Sequence, residues 1–204
     1  MKIINLKDLW PEQVKFRTEV IESVIPESGL ILDIGSGGIK YNIKNCRYIT
    51  LDIIRGRPTT WGNAECLPFK NDTFDLVIST ELIEHVRYPK KFLDEVYRVL
   101  KGNGQWLMST PNIATLANRI ALLFLGRFPP DRTLHEDQEY GHLHFWDKKY
   151  LLKVLDQNGF TVIKSWHKFH QISPNTFITT SITDKAFKGF CDQNLYLTGK
   201  KPRK

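Results

Sequence analysis

The chain has 204 residues, of which 41% are hydrophobic and 25% are charged. These values are typical of globular proteins and exclude a largely disordered chain. The length is sufficient for one domain with a substantial core, and no uncharged apolar run is long enough to cross a bilayer.

The basic charge is concentrated at one end of the sequence. The formal net charge is +7, and four of the charges come from Lys200, Lys201, Arg203 and Lys204. We interpret this cluster as a solvated tail, so that charge alone gives only weak support for a nucleic-acid partner. The first residues lack the features of a signal peptide, and the three cysteines have no metal-like spacing, so we expect reduced thiols and a cytoplasmic location.

Helices and strands alternate along the predicted chain. The first helix covers 11–24 and presents Phe16, Val20 and Val24 on one face. Further helices are predicted at 89–100, with Gly102 as its C-cap, and between Asp147, as its N-cap, and Gly159. Strands are predicted at 30–34, 48–52, 74–80, 105–110, 160–163 and 194–198, with short crossovers after the first two. This alternation predicts a largely parallel sheet with helices on both faces.

The most informative segment is a glycine-containing turn between the first two strands. The apolar run 30–34 is broken by Gly35 and Gly37, and the next strand ends on Asp52. Missing side chains let a ligand approach the backbone, and an acidic residue at that strand end suits ribose hydroxyls. The segment predicts a nucleoside-cofactor site, although an ordinary strand-to-helix turn would produce the same local pattern.

Four sequence blocks in order carry a family resemblance. They are LDIGSGG at 32–38, LDI at 51–53, NAECLPFKNDTFDLV at 63–77 and YRVLKGNG at 97–104. Together they resemble the class I S-adenosylmethionine-dependent methyltransferases of the type 11-like group. The resemblance implies an α/β, Rossmann-like doubly wound seven-stranded sheet, with six parallel strands and an antiparallel seventh. We expect a single methyltransferase domain over 1–204 with a lid insertion at about 112–147.

The resemblance also implies how S-adenosyl-L-methionine would bind. The two glycines would lie against its methionine part, Asp52 would accept hydrogen bonds from both ribose hydroxyls, and Ile53 would pack on the adenine. Thr80 would face the sulfonium, and the loop 63–65 would line the adenine edge. The full predicted cofactor-binding set is Asp33, Gly35, Gly37, Asp52, Ile53, Asn63, Ala64, Glu65 and Thr80.

Two positions depart from the family pattern. Asn63 stands where an aspartate is usual, and Ile39 replaces the third glycine of the common loop. An amide oxygen can still accept a hydrogen bond from the adenine amine. These departures keep open an alternative in which the chain is a non-catalytic S-adenosylmethionine-binding module.

The predicted lid contains an apolar helix and several histidines. The segment 114–125 is apolar almost throughout, and we favour its burial on its own domain over contact with an apolar acceptor or a membrane surface. The run 141–146, with His135 upstream, resembles a segment of methyltransferases from sugar, lipid and cell-envelope pathways. There, His142 or His144 would either abstract a hydroxyl proton or hold the lid by hydrogen bonds.

The run Glu81-Leu82-Ile83-Glu84-His85 has two interpretations. Its spacing resembles the metal site of small-RNA 2′-O-methyltransferases and of some ubiquinone-pathway O-methyltransferases, with His142 or His144 as a further ligand. The same run is also widespread in methyltransferases that use no metal. We therefore assign no metal ligands, keep a divalent ion as the less favoured alternative, and include His85 with His142 and His144 as catalytic candidates.

The sequence thus predicts a methyltransferase that acts on a small-molecule or lipid- or sugar-linked acceptor, with oxygen as the expected target. An RNA methyltransferase is the alternative enzyme, but no stacking-aromatic motif or dense basic patch supports nucleic-acid binding. The acceptor and the oligomeric state are not defined by the sequence.

Overall fold

The computed structural model describes residues 2–37, 41, 43–54, 58–126, 141–166, 169–173, 176–179 and 194–202. Its helices are α1 (Leu6–Glu22), α2 (Pro89–Val99), α3 (Leu116–Leu125) and α4 (Lys148–Gln157). Its strands are β1 (Lys2–Asn5), β2 (Gly29–Ile34), β3 (Cys46–Asp52), β4 (Thr60–Trp61), β5 (Phe74–Thr80), β6 (Leu100–Pro111), β7 (Thr161–Trp166), β8 (Phe169–Ser173), β9 (Thr176–Thr179) and β10 (Asn194–Lys200). Ile39, His135 and most of the predicted lid, 127–140, lie outside the described residues.

The main sheet has seven strands in the order β4-β3-β2-β5-β6-β10-β7. Neighbouring strands from β4 to β6 are parallel, whereas β10 runs antiparallel to both β6 and β7. Six strands therefore share one direction and the last strand opposes them. This topology confirms the predicted doubly wound sheet.

The two faces of the sheet are covered by different helices. Because successive side chains of a strand point to opposite faces, Ile31 and Leu32 enter two separate core clusters. The cluster around Ile31 includes Phe16 and Val20 of α1. The cluster around Leu32 includes buried residues of α2 and α4. Strands buried on both sides explain the near-continuous apolar runs in the sequence.

Several boundaries differ from the predictions. Helix α1 begins at Leu6 and contains Pro11 within it. The prediction of Gly102 as a C-cap is wrong, because α2 ends at Val99 and Leu100 is already extended. Leu100 starts β6 opposite Phe74, and its burial favours the strand over another helical turn. The side chain of Asp147 caps α4 by accepting from the Tyr150 amide at 3.0 Å, as predicted.

Two features were not predicted. Strand β4 lies parallel beside β3, where the sequence indicated only a crossover. Strands β1, β9 and β8 form a separate antiparallel sheet. No helix in the described part of the chain is long and apolar enough to cross a membrane.

The predicted solvated tail is wrong for Lys201. Its side chain is only 8% exposed, and its ammonium donates to Asp72 Oδ1 at 2.6 Å and to the Leu100 carbonyl at 2.7 Å. Its backbone carbonyl also accepts from the Asn103 amide at 3.0 Å. Lys201 therefore holds the end of β10 against the start of β6.

Candidate active site

The glycine turn lies at the carboxyl edge of the sheet, where the strand order reverses. From β2 the chain passes to β3 on one side and later to β5 on the other, which is the position where open α/β sheets bind ligands. Gly35 and Gly37 have φ angles of 72° and 58°. A Cβ at Gly35 would approach Leu82 Cδ1 to 2.9 Å, whereas the space beside Gly37 is open. The turn therefore requires glycine at Gly35 and leaves an accessible backbone at Gly37.

Asp52 connects this turn with the end of β3. It is buried, and its Oδ2 accepts from the Gly37 amide at 3.0 Å while Oδ1 accepts from the Ile54 amide at 3.0 Å. A carboxylate offers about four acceptor positions, so about two remain for other donors. The structure thus brings together Gly37 and Asp52 at this edge of the sheet.

Asp33 is a buried carboxyl group one residue before the end of β2. It is 2% exposed, and the Tyr48 hydroxyl donates to its Oδ2 at 2.5 Å. Burial raises the pKa of Asp33 to about 7, although the Tyr48 hydrogen bond and the Arg17 charge act in the opposite direction. Asp33 is therefore part of a buried polar group beneath the glycine turn.

Thr80 ends β5 next to this polar group. Its side chain lies beside Tyr41, and burial raises the pKa of that tyrosine to about 12. Thr80 is itself mostly buried, with its Cα opposite that of Ser109 in β6. The residue lies at the strand end where it was predicted.

The loop 63–65 is held by a hydrogen bond within itself and by two hydrogen bonds to the residues just before α2. Asn63 Oδ1 accepts from the Glu65 amide at 2.8 Å. Glu65 Oε1 accepts from the Arg87 and Tyr88 amides at 2.7 and 3.0 Å, just before α2. Ala64 packs against the main core. The side chain of Glu65 therefore fixes the loop to the start of α2.

Ile53 has a neighbour that the sequence analysis missed. Its side chain is 50% exposed, and its carbonyl accepts from Trp61 Nε1 at 2.7 Å. Trp61 is itself 55% exposed. Because Trp61 lies on the unpredicted β4, only the pairing of β4 with β3 brings this indole beside Ile53.

The candidate catalytic histidines separate into a pair and a single residue. The rings of His85 and His142 lie 4.8 Å apart. His85 Nδ1 is 3.2 Å from the Gly141 carbonyl oxygen. A carbonyl oxygen can only accept, so Nδ1 is the donor in this contact, and Nε2 lies 4.0 Å from Glu84 Oε1. His144 lies instead beside Trp146, and its buried Nε2 has no hydrogen-bond partner among the described residues.

Glu84 lies beside the pair formed by His85 and His142. It is 1% exposed, its Oε2 accepts from the Thr110 hydroxyl at 2.9 Å, and its Oε1 has no hydrogen-bond partner in the described part of the chain. Burial raises the pKa of Glu84 to about 9, and the nearby Glu81 adds to the effect. The Glu-x-x-Glu-His run pointed to this residue, but its burial could not be predicted from spacing.

One ligand atom each from Glu84, His85 and His142 lies within 4.8 Å of the others. Carboxylate oxygen and imidazole nitrogen are common ligands of divalent transition metals. The backbone carbonyl of Glu84 also accepts from the Leu143 and His144 amides at 2.8 and 3.1 Å, which fixes the histidine segment to this edge of the sheet.

A family profile described as "Methyltransferase domain" matches residues 14–165, which is well over half of the chain. The chain belongs to this family. It is a methyltransferase of class I fold, and its methyl donor is S-adenosyl-L-methionine.

Similar proteins agree with this assignment. An uncharacterised protein of Methanocaldococcus jannaschii is 29% identical over 196 residues, covering 84% of this chain and 74% of that protein. A putative methyltransferase of Bacillus halodurans has the same fold, with a TM-score of 0.63, 18% identity and coverage of 92% and 98% of the two chains. A phthiotriol/phenolphthiotriol dimycocerosates methyltransferase of Mycobacterium tuberculosis is 38% identical over 79 residues, which are 39% of this chain and 27% of that enzyme.

The residues at the carboxyl edge of this methyltransferase fit its methyl donor. The open backbone at Gly37 gives room for a ligand, and Asp52 keeps acceptor capacity for hydroxyl groups. The exposed Ile53 and Trp61 offer apolar surface beside Asp52, which pairs with Trp61 in the sheet register. These features match the separate needs of a polar amino-acid end, a ribose and a flat base.

The methyltransferase also has an apolar surface on α3. Leu123 and Phe124 are each 76% exposed, and Leu125 is 64% exposed. The favoured interpretation of this helix as buried on its own domain is therefore wrong for its last turn. Its N-terminal end does pack, because Ala117 is buried and the side chain of Thr115 caps the helix. Leu143 and Phe145 of the histidine segment are exposed as well.

Proposed function

We propose that this methyltransferase acts in the cytoplasm and transfers the methyl group to an oxygen of a small-molecule or lipid- or sugar-linked acceptor. The observation that carries the proposal is the contact of His85 with His142 next to Glu84. Glu84 and His85 follow β5 at the same edge of the sheet as the glycine turn, and His142 joins them from the segment before α4. We further propose that residues 1–204 act as one domain and that the lid extends over about 112–147.

The proposed chemistry needs a base for a hydroxyl proton. When bound, S-adenosyl-L-methionine supplies an electrophilic methyl group on a positively charged sulfur. In this proposal His85 would accept the proton at Nε2 while its Nδ1 donates to the Gly141 carbonyl. His142 lies against the same ring and is the second candidate, whereas His144 is in different surroundings beside Trp146. A positioned base contributes about 10²- to 10⁴-fold to such a reaction.

Exposed apolar side chains on α3 and in the histidine segment favour an acceptor with apolar parts. The exposed apolar side chains are Leu123 and Phe124 of α3, and Leu143 and Phe145, which are next to the histidines in the chain. Such apolar surface does not favour binding of a strongly charged polymer. The mycobacterial relative is named as a phthiotriol/phenolphthiotriol dimycocerosates methyltransferase, and this name supports a lipid-linked acceptor for the present enzyme.

The predicted cofactor residues keep their roles as proposals. Gly35 and Gly37 would hold the methionine part, Asp52 the ribose, and Ile53 the adenine, while Thr80 would face the sulfonium. The internal hydrogen bonds of Asn63 and Glu65, and the core packing of Ala64, support a role in shaping the adenine side of the site over direct contact. Asp33 would act from beneath the turn.

A divalent ion is the second candidate for activating the acceptor. The convergence of Glu84, His85 and His142 within 4.8 Å favours it, because a bound ion would lower the pKa of a coordinated hydroxyl. The two mechanisms differ in their need for metal, so a chelator separates them.

The experiment is a transfer assay with methyl-labelled S-adenosylmethionine and separate panels of lipid, sugar-linked, phenolic and RNA acceptors. We expect label in a lipid or sugar-linked product as a base-stable ether. Label only in RNA, or none with any acceptor while the cofactor binds, would contradict the proposal. On the acceptor found, His85→Ala should lower the rate about 10²- to 10⁴-fold with cofactor binding intact, and His144→Ala is the matched control. If a chelator abolished the activity and a divalent ion restored it, the metal mechanism would be supported and the histidine-base mechanism would be contradicted.

A further inference from the structure

Arg17 of α1 is a buried cation, and two of its three guanidinium nitrogens lack hydrogen-bond acceptors in the described part of the chain. The residue is 9% exposed, and its Nε and Nη2 are fully buried with no hydrogen-bond partner among the described residues. It shares the apolar face of the helix with Val20 and Ile21, which pack on the sheet. A buried charge with unused donors is costly unless another group binds it.

The surroundings of Arg17 locate this charge near the glycine turn. Its positive charge counteracts the rise that burial causes in the pKa of Asp33 and of Tyr41, and Tyr41 packs against the same cluster as the neighbouring Phe16, so Arg17 lies close to these two residues. Asp33 comes two residues before Gly35, and Tyr41 follows the turn in the chain. The buried guanidinium therefore lies on the α1 side of the proposed cofactor site.

The two unused nitrogens favour one kind of ligand. Nε and Nη2 occupy the same edge of the guanidinium, and their N–H groups point in parallel, which matches the two oxygens of a carboxylate. Asp33 does not fill this role, since neither nitrogen has an acceptor and its Oδ2 accepts from Tyr48. An anion with two oxygens from outside the described residues would therefore fit these two nitrogens.

We infer that Arg17 binds the α-carboxylate of S-adenosylmethionine, as a side-on bidentate pair through Nε and Nη2. The inference rests on the proposed position of the cofactor at Gly35 and Gly37. It assigns to α1 the recognition of the amino-acid end of the cofactor, while Asp52 recognises the nucleoside end. Binding also supplies the acceptors that the guanidinium lacks.

The test compares two ligands that differ in the amino-acid end. S-adenosylhomocysteine carries the α-carboxylate, whereas 5′-methylthioadenosine keeps the adenosine and the sulfur but lacks the carboxylate. Calorimetric titrations would use the wild type, Arg17→Met and Asp52→Asn. We expect Arg17→Met to weaken S-adenosylhomocysteine binding about 10- to 100-fold and to leave 5′-methylthioadenosine binding within about twofold. Asp52→Asn should weaken binding of both ligands.

A structural role for Arg17 gives different results. Because methionine removes an unpaired buried charge, the ligand-free Arg17→Met protein should melt no lower than the wild type. A lower melting temperature with equal weakening of both ligands, or unchanged affinity for S-adenosylhomocysteine, would overturn the inference. If Asp52→Asn left both affinities unchanged, the proposed position of the cofactor would fail instead, whatever Arg17→Met did. The two failures are therefore distinguishable.

Discussion

Replacing Asp33 by Asn should make the stability of the ligand-free protein less dependent on pH. Burial raises the pKa of Asp33 from 3.8 to about 7 in the folded protein. The contribution of this carboxyl group to stability is therefore fully present below pH 3.8 and is lost as the pH rises through about 7. The difference between the two pKa values corresponds to about 4 kcal/mol at full ionisation. Asn keeps the shape and can still accept from the Tyr48 hydroxyl.

The assay is urea denaturation at pH 5 and pH 8. Relative to the wild type, Asp33→Asn should gain about 2 to 3 kcal/mol of unfolding free energy between these two pH values. Asp94→Asn on the exposed surface of α2 is the matched control and should show little such change, since the Asp94 side chain is 57% exposed. The same stability difference at both pH values would show that Asp33 is ionised throughout this range, and the argument from burial would be refuted.

Three further predictions concern the cofactor, the core and α3. Asp52→Ala should weaken both S-adenosylmethionine and S-adenosylhomocysteine at least about tenfold in calorimetry, because two charge-assisted hydrogen bonds of ~1.5–3 kcal/mol each are lost; binding of NADH in their place would contradict the cofactor assignment. Arg98→Ala should lower the unfolding free energy by roughly 2 to 4 kcal/mol in urea, since Arg98 bonds Glu95 and the backbone of 67–69, and an unchanged midpoint would refute this. In a hydrogen-exchange measurement, the amides at the C-terminal end of α3 should exchange rapidly without ligand and more slowly when an acceptor is bound. Exchange as slow as that of β5 in the ligand-free protein would mean that the helix belongs to the core.

The fold was predictable where local sequence signals agree with the tertiary structure. The glycine turn after β2, the apolar runs of β5 and β6 and the capping Asp147 each have a local cause. Strand β4 and the sheet of β1, β8 and β9 have no such cause, because short strands depend on pairing with residues distant in sequence.

The site was predictable in its residue types but not in its buried charges. The order of sequence blocks indicated Gly37 and Asp52, and the structure brings them into contact. Arg17 could have been noticed as a cation on an apolar helix face, but only the packing of α1 on the sheet shows that its donors are unused. In the same way, the sequence indicates that Lys201 is a tail residue, and only the structure shows its hydrogen bonds to Asp72 and the Leu100 carbonyl.

The position of β10 has a consequence for how the protein folds. In the main sheet β7 pairs only with β10, and β10 enters between β7 and the much earlier β6. During synthesis, β7 therefore stays unpaired in this sheet until residues 194–200 have left the ribosome. The edge of β6 that pairs with β10 is unpaired for the same time. Pairing between strands that are distant in sequence slows folding and prolongs the exposure of unpaired, aggregation-prone strand edges. Chains stopped at residue 193 should accordingly aggregate or be digested by protease as unfolded polypeptide, and a protease-resistant core in such chains would show that the sheet can close without its last strand.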